Sequence, residues 1–480
     1  MLATAGTGLL SLTSTMTPAC AHADVGDDTS MPFEVMGGTG MPTPTDSFID
    51  AVQSLYFPPT ALFDGQPTFP TAVADALYTP EQFYPLGGDE QTLDASVAEG
   101  LTNLNNALEP YISTDTPVGV FGYSQSAVIA SLEMEQLEAE GVPSSEVNFV
   151  LIGDLMNPNG GLFERFAGLD LPSLGVDFYG ATPSDDYVTT IYTLEYDTWA
   201  DFPRYPLDIL SDLNSFESQV HFDYANLTAE QLSQAVQLTT TGGLTDYYII
   251  PVDDLPLLDP LREIPVLGNP LADLLQPDLT ALVNLGYGDP DYGWSTTAAN
   301  DATEFGLFPS LADFEKLPAL LETGTVAGIE DFIGDFTGTG PNPVSLSLES
   351  LFSGLTDSSS VTSSSLFDPD AVLSGLSNLL TDPTALAAVP DDIASALSEV
   401  GAALYGTIAP TEDILQAALV SVPEYDISLV LDNLNNPIEA IGLPIAADFA
   451  LYPLLAGFET SVLDTAAESI ITSLTSLIPS

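Results

Sequence analysis

The stretch VFGYSQSAVIASLEMEQLEAEG, Val120 to Gly141, limits the possible folds more than any other in the chain. An apolar run ending at Gly122 passes through Ser124 straight into a helical pattern, with no spacer between them. A backbone that goes from strand to helix in so few residues must turn sharply. A serine at the apex of such a turn has its hydroxyl exposed where the free N–H groups of the helix N-terminus converge. Gly122 and Ser126 flank Ser124 at two residues on either side, giving G-x-S-x-S where the commoner elbow has a second glycine. In a chain rich in glycine and serine this pattern is weak alone, and the meaning of Ser124 depends on what the other residues supply.

The surrounding sequence alternates strand and helix signals. PFEVMGG (32–38) reads as a buried strand and PTDSFIDAVQSLY (44–56) as a helix capped near Thr45 or Asp46. DEQTLDASVAEGLTNLNNALEPYI (89–112) is a longer amphipathic helix leading into the strand PVGVFG, and VNFVLIGD and VTTIYTLEYD follow as further β-branched runs. Such alternation predicts an α/β fold, a mainly parallel sheet with helices on both faces, whose functional loops gather at the carboxyl ends of the strands. Residues 236–310 are dense in Pro, Leu, Asp and Tyr and read as short helical turns broken by proline, suited to a lid or cap. From 311 to 480 the chain is Ser/Leu-rich, with a flexible-looking TDSSSVTSSS at 356–365 and proline-separated helical stripes beyond 370. The apolar stretch 440–458 contains Pro444, Pro453 and Asp448, which favours a buried or interfacial helix pair over an integral membrane span.

Composition narrows the partners. Sixty-nine acidic residues stand against four basic ones, for a formal net charge of −65, which excludes attraction to nucleic-acid phosphates. The single cysteine, Cys20, permits neither an intramolecular disulfide nor a cysteine-based metal cluster. Residues 1–23 form an apolar, small-residue segment ending in Ala21-His22-Ala23, the A-x-A form of a signal-peptidase site, although the usual positive n-region is missing. They are expected to be an export signal.

A serine nucleophile needs a general base and a group to orient that base. The chain has two histidines, His22 and His221, and only His221 outlives removal of the expected signal. It follows Ser124 and the acidic segment LEYDTWADFPRYP, in the Ser, Asp, His chain order of α/β-hydrolases. Within that segment Asp197 ends the apolar strand, whereas Asp201 lies four residues on, in a turn before Phe202-Pro203. Asp201 is the preferred acid, because the acid often sits a few residues past the strand end, and Asp197 is the alternative. The other of the two is expected to be structural, holding the loop or pairing with Arg204. Oxyanion donors are expected from the backbone N–H of Gln125 and from MGGTGMPTP at 36–44, where Gly37, Gly38 and Gly40 around Thr39 allow close backbone approach. This chemistry requires no metal and no organic cofactor.

GGTGMPTP, GYSQSA, IGDLMNPNGG, YDTWADFPRYP and VHFDY occur in the order and spacing of the PE-PPE domain, which this chain resembles over about residues 31–310. The resemblance implies a cutinase-like serine α/β-hydrolase of mycolate-coated actinobacteria. It implies an esterase or lipase acting on acyl esters, or an acyltransferase serving a glycolipid acceptor, in the secreted or envelope compartment. By matching position, Ser124 is the nucleophile, His221 the base and Asp201 or Asp197 the acid. The usual helical PE or PPE module is not found ahead of these motifs, so export is expected to use residues 1–23. A non-catalytic envelope or adhesion protein is the rival of another class.

Overall fold

The apolar runs of the first half assemble into one sheet in the computed structural model of the protein, which describes residues 30–344, 395–396 and 398–475. The expected export signal, with Cys20 and His22, and the stretch 356–365 lie outside the described residues. Strand β1 (Met31–Val35) leads into helix α1 (Asp46–Tyr56), whose N-cap Thr45 accepts from the Phe48 N–H. Strand β2 (Ala72–Ala76) and helix α2 (Leu93–Ile112) come next, then β3 (Val118–Tyr123), α3 (Gln125–Glu140) and β4 (Val147–Ile152). A short helix α4 (Leu162–Arg165) and a two-stranded ribbon, β5 (Asp170–Leu171) with β6 (Val176–Asp177), precede β7 (Val188–Leu194). Helices α5 (Ile209–Glu217) and α6 (Ala229–Leu232) lead to β8 (Val236–Gln237) and β9 (Thr245–Ile250).

Among the described residues the main sheet has seven strands in the order β2-β1-β3-β4-β7-β9-β8, parallel throughout except for the edge pair β8–β9. Strands β3 and β4 are apolar on both faces because both faces are covered, as a parallel sheet requires. On one face Phe33, Val35, Phe121, Val150 and Tyr192 pack with Phe48, Val52 and Tyr56 of α1. On the other, Val118, Val120, Phe149 and Ile191 pack with α2 and α3. The order reverses around β1, which pairs with β2 on one side and β3 on the other. A parallel sheet opens a crevice at the carboxyl ends of its strands at such a switch point.

Residues 236–310 differ from the expected lid. Thr245–Ile250 is a strand inside the sheet, in parallel register with β7, because TDYYII is β-branched and aromatic enough to be buried there. The remainder, with α7 (Asp259–Arg262) and α8 (Gly268–Leu285), is tied to the body by Thr303 N–H donating to Pro158 O and Phe305 N–H donating to Arg165 O.

The described C-terminal part includes helices α9 (Leu311–Thr337), α10 (Ile408–Gln416), α11 (Val422–Asp432) and α12 (Pro437–Thr475). Ile414, Val422, Tyr425, Leu451, Leu455 and Phe458 of these helices share a core with α2 and α3. The pair of helices expected from Pro444 and Pro453 is instead one helix of 39 residues running through both prolines. Residues 398–432 and 437–475 are long and apolar enough, by length and composition, to cross a membrane.

Candidate active site

The loop after β1 and the turn after β3 meet at the switch point. Ser124 joins β3 to α3 with φ +57° and ψ −118°, a strained conformation for a residue with a side chain. Local contacts hold the strain. A Cβ on Gly122 would lie 2.7 Å from Ser126 O, so only glycine lets the turn close. Ser126 Oγ accepts from Tyr123 N–H (2.8 Å) and donates to Tyr123 O (3.1 Å), fastening the elbow where a second glycine is commoner.

His221 lies on a single turn, Val220–Phe222, and its Nε2 is 2.8 Å from Ser124 Oγ. Its Nδ1 is 2.9 Å from both carboxylate oxygens of Asp197, the residue three beyond the end of β7. Asp197 also accepts from Tyr224 OH (2.8 Å) and from Trp199 N–H (2.9 Å), and all four side chains are buried or nearly so. An acceptor-only carboxylate on Nδ1 fixes the tautomer in which Nε2 is free to take a proton.

Asp201, the preferred acid in the sequence, makes no contact with His221 in this structure, and Asp197 takes that place. The reason is local. Asp201 N–H donates to Asp197 O at 2.7 Å, curling the chain back so that the Asp201 carboxylate points to Tyr196 N–H (3.1 Å). Burial pushes the Asp201 carboxyl well above its ordinary range against the pull of the Arg165 guanidinium. Neither acid pairs with Arg204, whose guanidinium lies over the Tyr205 ring at 5.7 Å.

The expected oxyanion residues are brought together. Gly38 is so near Ser124 that an added Cβ would lie 3.1 Å from Ser124 Cβ. Gly40 takes a left-handed φ of +82° and donates its N–H to Glu81 O at 2.7 Å. The Gln125 side chain binds this loop to α2: its Nε2 donates to Thr39 Oγ1 and Gln82 O (both 3.0 Å), and its Oε1 accepts from Ser96 Oγ (2.6 Å). The N–H of Gln125 opens α3, where no intrahelical acceptor is available.

Three contributors carry no assigned role in the sequence reading. Tyr123 stacks on the His221 ring (centroids 5.5 Å apart) and donates its OH to His221 O at 2.7 Å. Burial holds its phenol well above the ordinary range, so it stays a donor. Tyr224, three residues after His221, was legible only as the end of VHFDY, though that spacing puts both side chains on one side of a tight turn. Gly153, at the end of β4 with φ +56°, leaves room for the ring: a Cβ there would sit 3.0 Å from His221 Cε1 and 3.1 Å from Tyr224 Cε2. Beside Ser124 opens a cleft of about 450 Å³, with Gly38, Thr39 and Tyr123 in its lining. Met41, Phe48, Ala51, Phe222 and Ala225 make its walls apolar, and none of its lining comes from 236–310.

A serine elbow at the switch point of a parallel sheet, followed in the chain by an acid and then a histidine, makes this an α/β-hydrolase by fold. Comparison with known proteins gives the family: a profile of the PE-PPE domain matches residues 70–288. The chain is also 41% identical over 460 residues to the PPE family protein PPE28 of Mycobacterium tuberculosis, covering 93% of this chain and 67% of that protein. It belongs to the PE-PPE domain family. It is likewise similar to Esterase PE16 of the same organism (41% identity, 59% of this chain, 52% of that protein). A third relative there is the SL1278 acyltransferase Chp1 (28% identity, 45% and 55%). The chain thus spans about half to two thirds of the length of these relatives.

Proposed function

We propose that the protein is a serine ester hydrolase or acyltransferase acting on acyl esters, with Ser124, His221 and Asp197 as its triad. The observation that carries this reading is the unbroken hydrogen-bonded line from Ser124 Oγ through both ring nitrogens of His221 to Asp197, at 2.8 and 2.9 Å. As His221 Nε2 takes the hydroxyl proton, Ser124 Oγ adds to the ester carbonyl carbon. The resulting oxyanion is met by the N–H groups of Gln125 and Thr39. His221 then returns the proton to the leaving alkoxide oxygen, and the acyl group stays on Ser124. The His221 imidazolium formed on the way is stabilised by Asp197 through Nδ1–H. The apolar cleft walls suit an acyl chain.

Water or an acceptor hydroxyl attacking the acyl-enzyme through the same histidine gives hydrolysis or acyl transfer. The second outcome is favoured specifically by the likeness to a named acyltransferase, as the first is by the likeness to a named esterase. Export to the cell envelope, directed by residues 1–23, belongs to the same proposal.

A fluorophosphonate probe tests it. Labelling of the full chain that disappears in Ser124→Ala is expected, and a folded, unlabelled wild type would overturn the reading in favour of the non-catalytic rival. The partition between free acid and transferred ester, measured with and without a sugar-hydroxyl acceptor, separates the two enzymatic outcomes.

A further inference from the structure

The C-terminal helices carry no motif of their own, yet they grip a segment that touches both halves of the site. Residues 82–88 run past the elbow. Gln82 O accepts from the Gln125 side chain, which also holds Thr39 of the oxyanion loop. Phe83 packs edge-on against Trp199, with ring centroids 6.0 Å apart. Trp199 in turn lies 6.3 Å from the His221 ring and gives its N–H to Asp197.

From the opposite side the same segment is held at three points. Phe458 of α12 meets Phe83 edge-on at 5.7 Å. Tyr84 OH donates to Asp413 of α10 at 2.6 Å. Thr465 of α12 sits so near Gly88 that an added Cβ would lie 3.3 Å from its methyl group. Asp413 is anchored as well, its carbonyl accepting from Ser173 Oγ at 2.7 Å.

We propose that helices α10 and α12 are built into the active site, with Phe458 and Asp413 as positioning residues that act through Phe83 and Tyr84 on the acid turn and the oxyanion loop. The inference rests on the hydrolase reading above. A mainly structural tail would contribute to melting temperature alone. A positioning tail must change the reactivity of Ser124 in protein that remains folded, because small displacements of catalytic groups cost rate out of proportion to stability.

The full-length chain tests this with three variants, Phe458→Ala, Phe458→Leu and Tyr84→Phe, and with Ile438→Ser as a control, since Ile438 is exposed on α12 and away from these contacts. Fluorophosphonate labelling rates and kcat against KM on a short p-nitrophenyl ester are read at a temperature where circular dichroism shows every variant folded. Phe458→Ala is expected to lower the labelling rate and kcat roughly tenfold with KM little changed. Phe458→Leu, which refills the contact, should recover most of that loss. Tyr84→Phe removes one hydrogen bond and should cost about two- to fivefold even where Phe458→Ala fails to fold. Wild-type labelling with unchanged rates in Phe458→Ala or Tyr84→Phe overturns the inference alone. An inert, folded wild type overturns the hydrolase reading and the inference together.

Discussion

Asp197 and Asp201 occupy two regions of one turn, four residues apart, and both are removed from solvent, at 0% and 2% exposure. Their surroundings nevertheless oppose each other. Asp197 faces the carboxyl edge of the sheet and collects donors: an imidazole, a phenol and a backbone N–H. Asp201 faces inward, where it has the Tyr196 N–H, the Arg165 guanidinium and the repulsion of Glu195. Burial is therefore no guide to which carboxylate meets the histidine. A carboxylate supplied with donors is held ready to balance a cation on its neighbour, whereas one short of donors is driven toward its neutral form.

The largest test of that contrast is a pair of amides. Asp197→Asn should lower kcat by about 10³- to 10⁴-fold, because an amide no longer fixes the tautomer of His221. Asp201→Asn should leave kcat within about tenfold of the wild type, since it only supports the turn. Equal losses, measured by steady-state ester hydrolysis, would erase the distinction.

A smaller effect is expected at Tyr224. Tyr224→Phe removes one of the donors to Asp197, worth about 1 kcal/mol, and should lower kcat roughly fivefold. In an Asp197→Asn background the same change should cost almost nothing, because Tyr224 acts through that carboxylate. Full additivity in the double variant would show that Tyr224 works elsewhere.

The smallest effect lies in stability. The Asp201 carboxyl is raised in the folded state above its ordinary 3.8, so its contribution is fully present below about pH 4 and is lost as pH climbs through the folded value. Asp201→Asn should flatten the decline of melting temperature as pH rises above the ordinary aspartate range, by about 2–4 °C per kcal/mol recovered. Parallel melting curves against pH for wild type and Asp201→Asn would remove the physical basis of the contrast.

Much of the frame was legible in the sequence, for identifiable reasons. The strand and helix on either side of Ser124 are strongly patterned, and the strands carrying VNFVLIG and VTTIYTL announce themselves by continuous β-branched runs. Strand β2, AVADA, escaped because an edge strand with mostly exposed side chains needs no apolar pattern. Strand β9 is hidden in the sequence because TDYYII runs directly into the proline-rich stretch 251–265, whose pattern is that of a lid. Ser124, His221 and the glycine loop follow from chain order and turn chemistry. The choice of acid does not, because it depends on the direction in which a turn curls after β7, and a single backbone bond from Asp201 to Asp197 decides it. The continuity of α12 through two prolines likewise depends on packing, which periodicity does not contain.

Gly153 has a consequence for how such chains lose activity in evolution. Its positive φ strains any side chain, and an added Cβ would lie 3.0 Å from His221 Cε1, so the ring would have to give by a few tenths of an ångström. Any single-base change of its codon that alters the amino acid would therefore displace the imidazole while sparing serine, histidine and aspartate. A descendant could carry every expected catalytic letter and be inert, a pseudoenzyme whose only visible scar is the loss of a glycine.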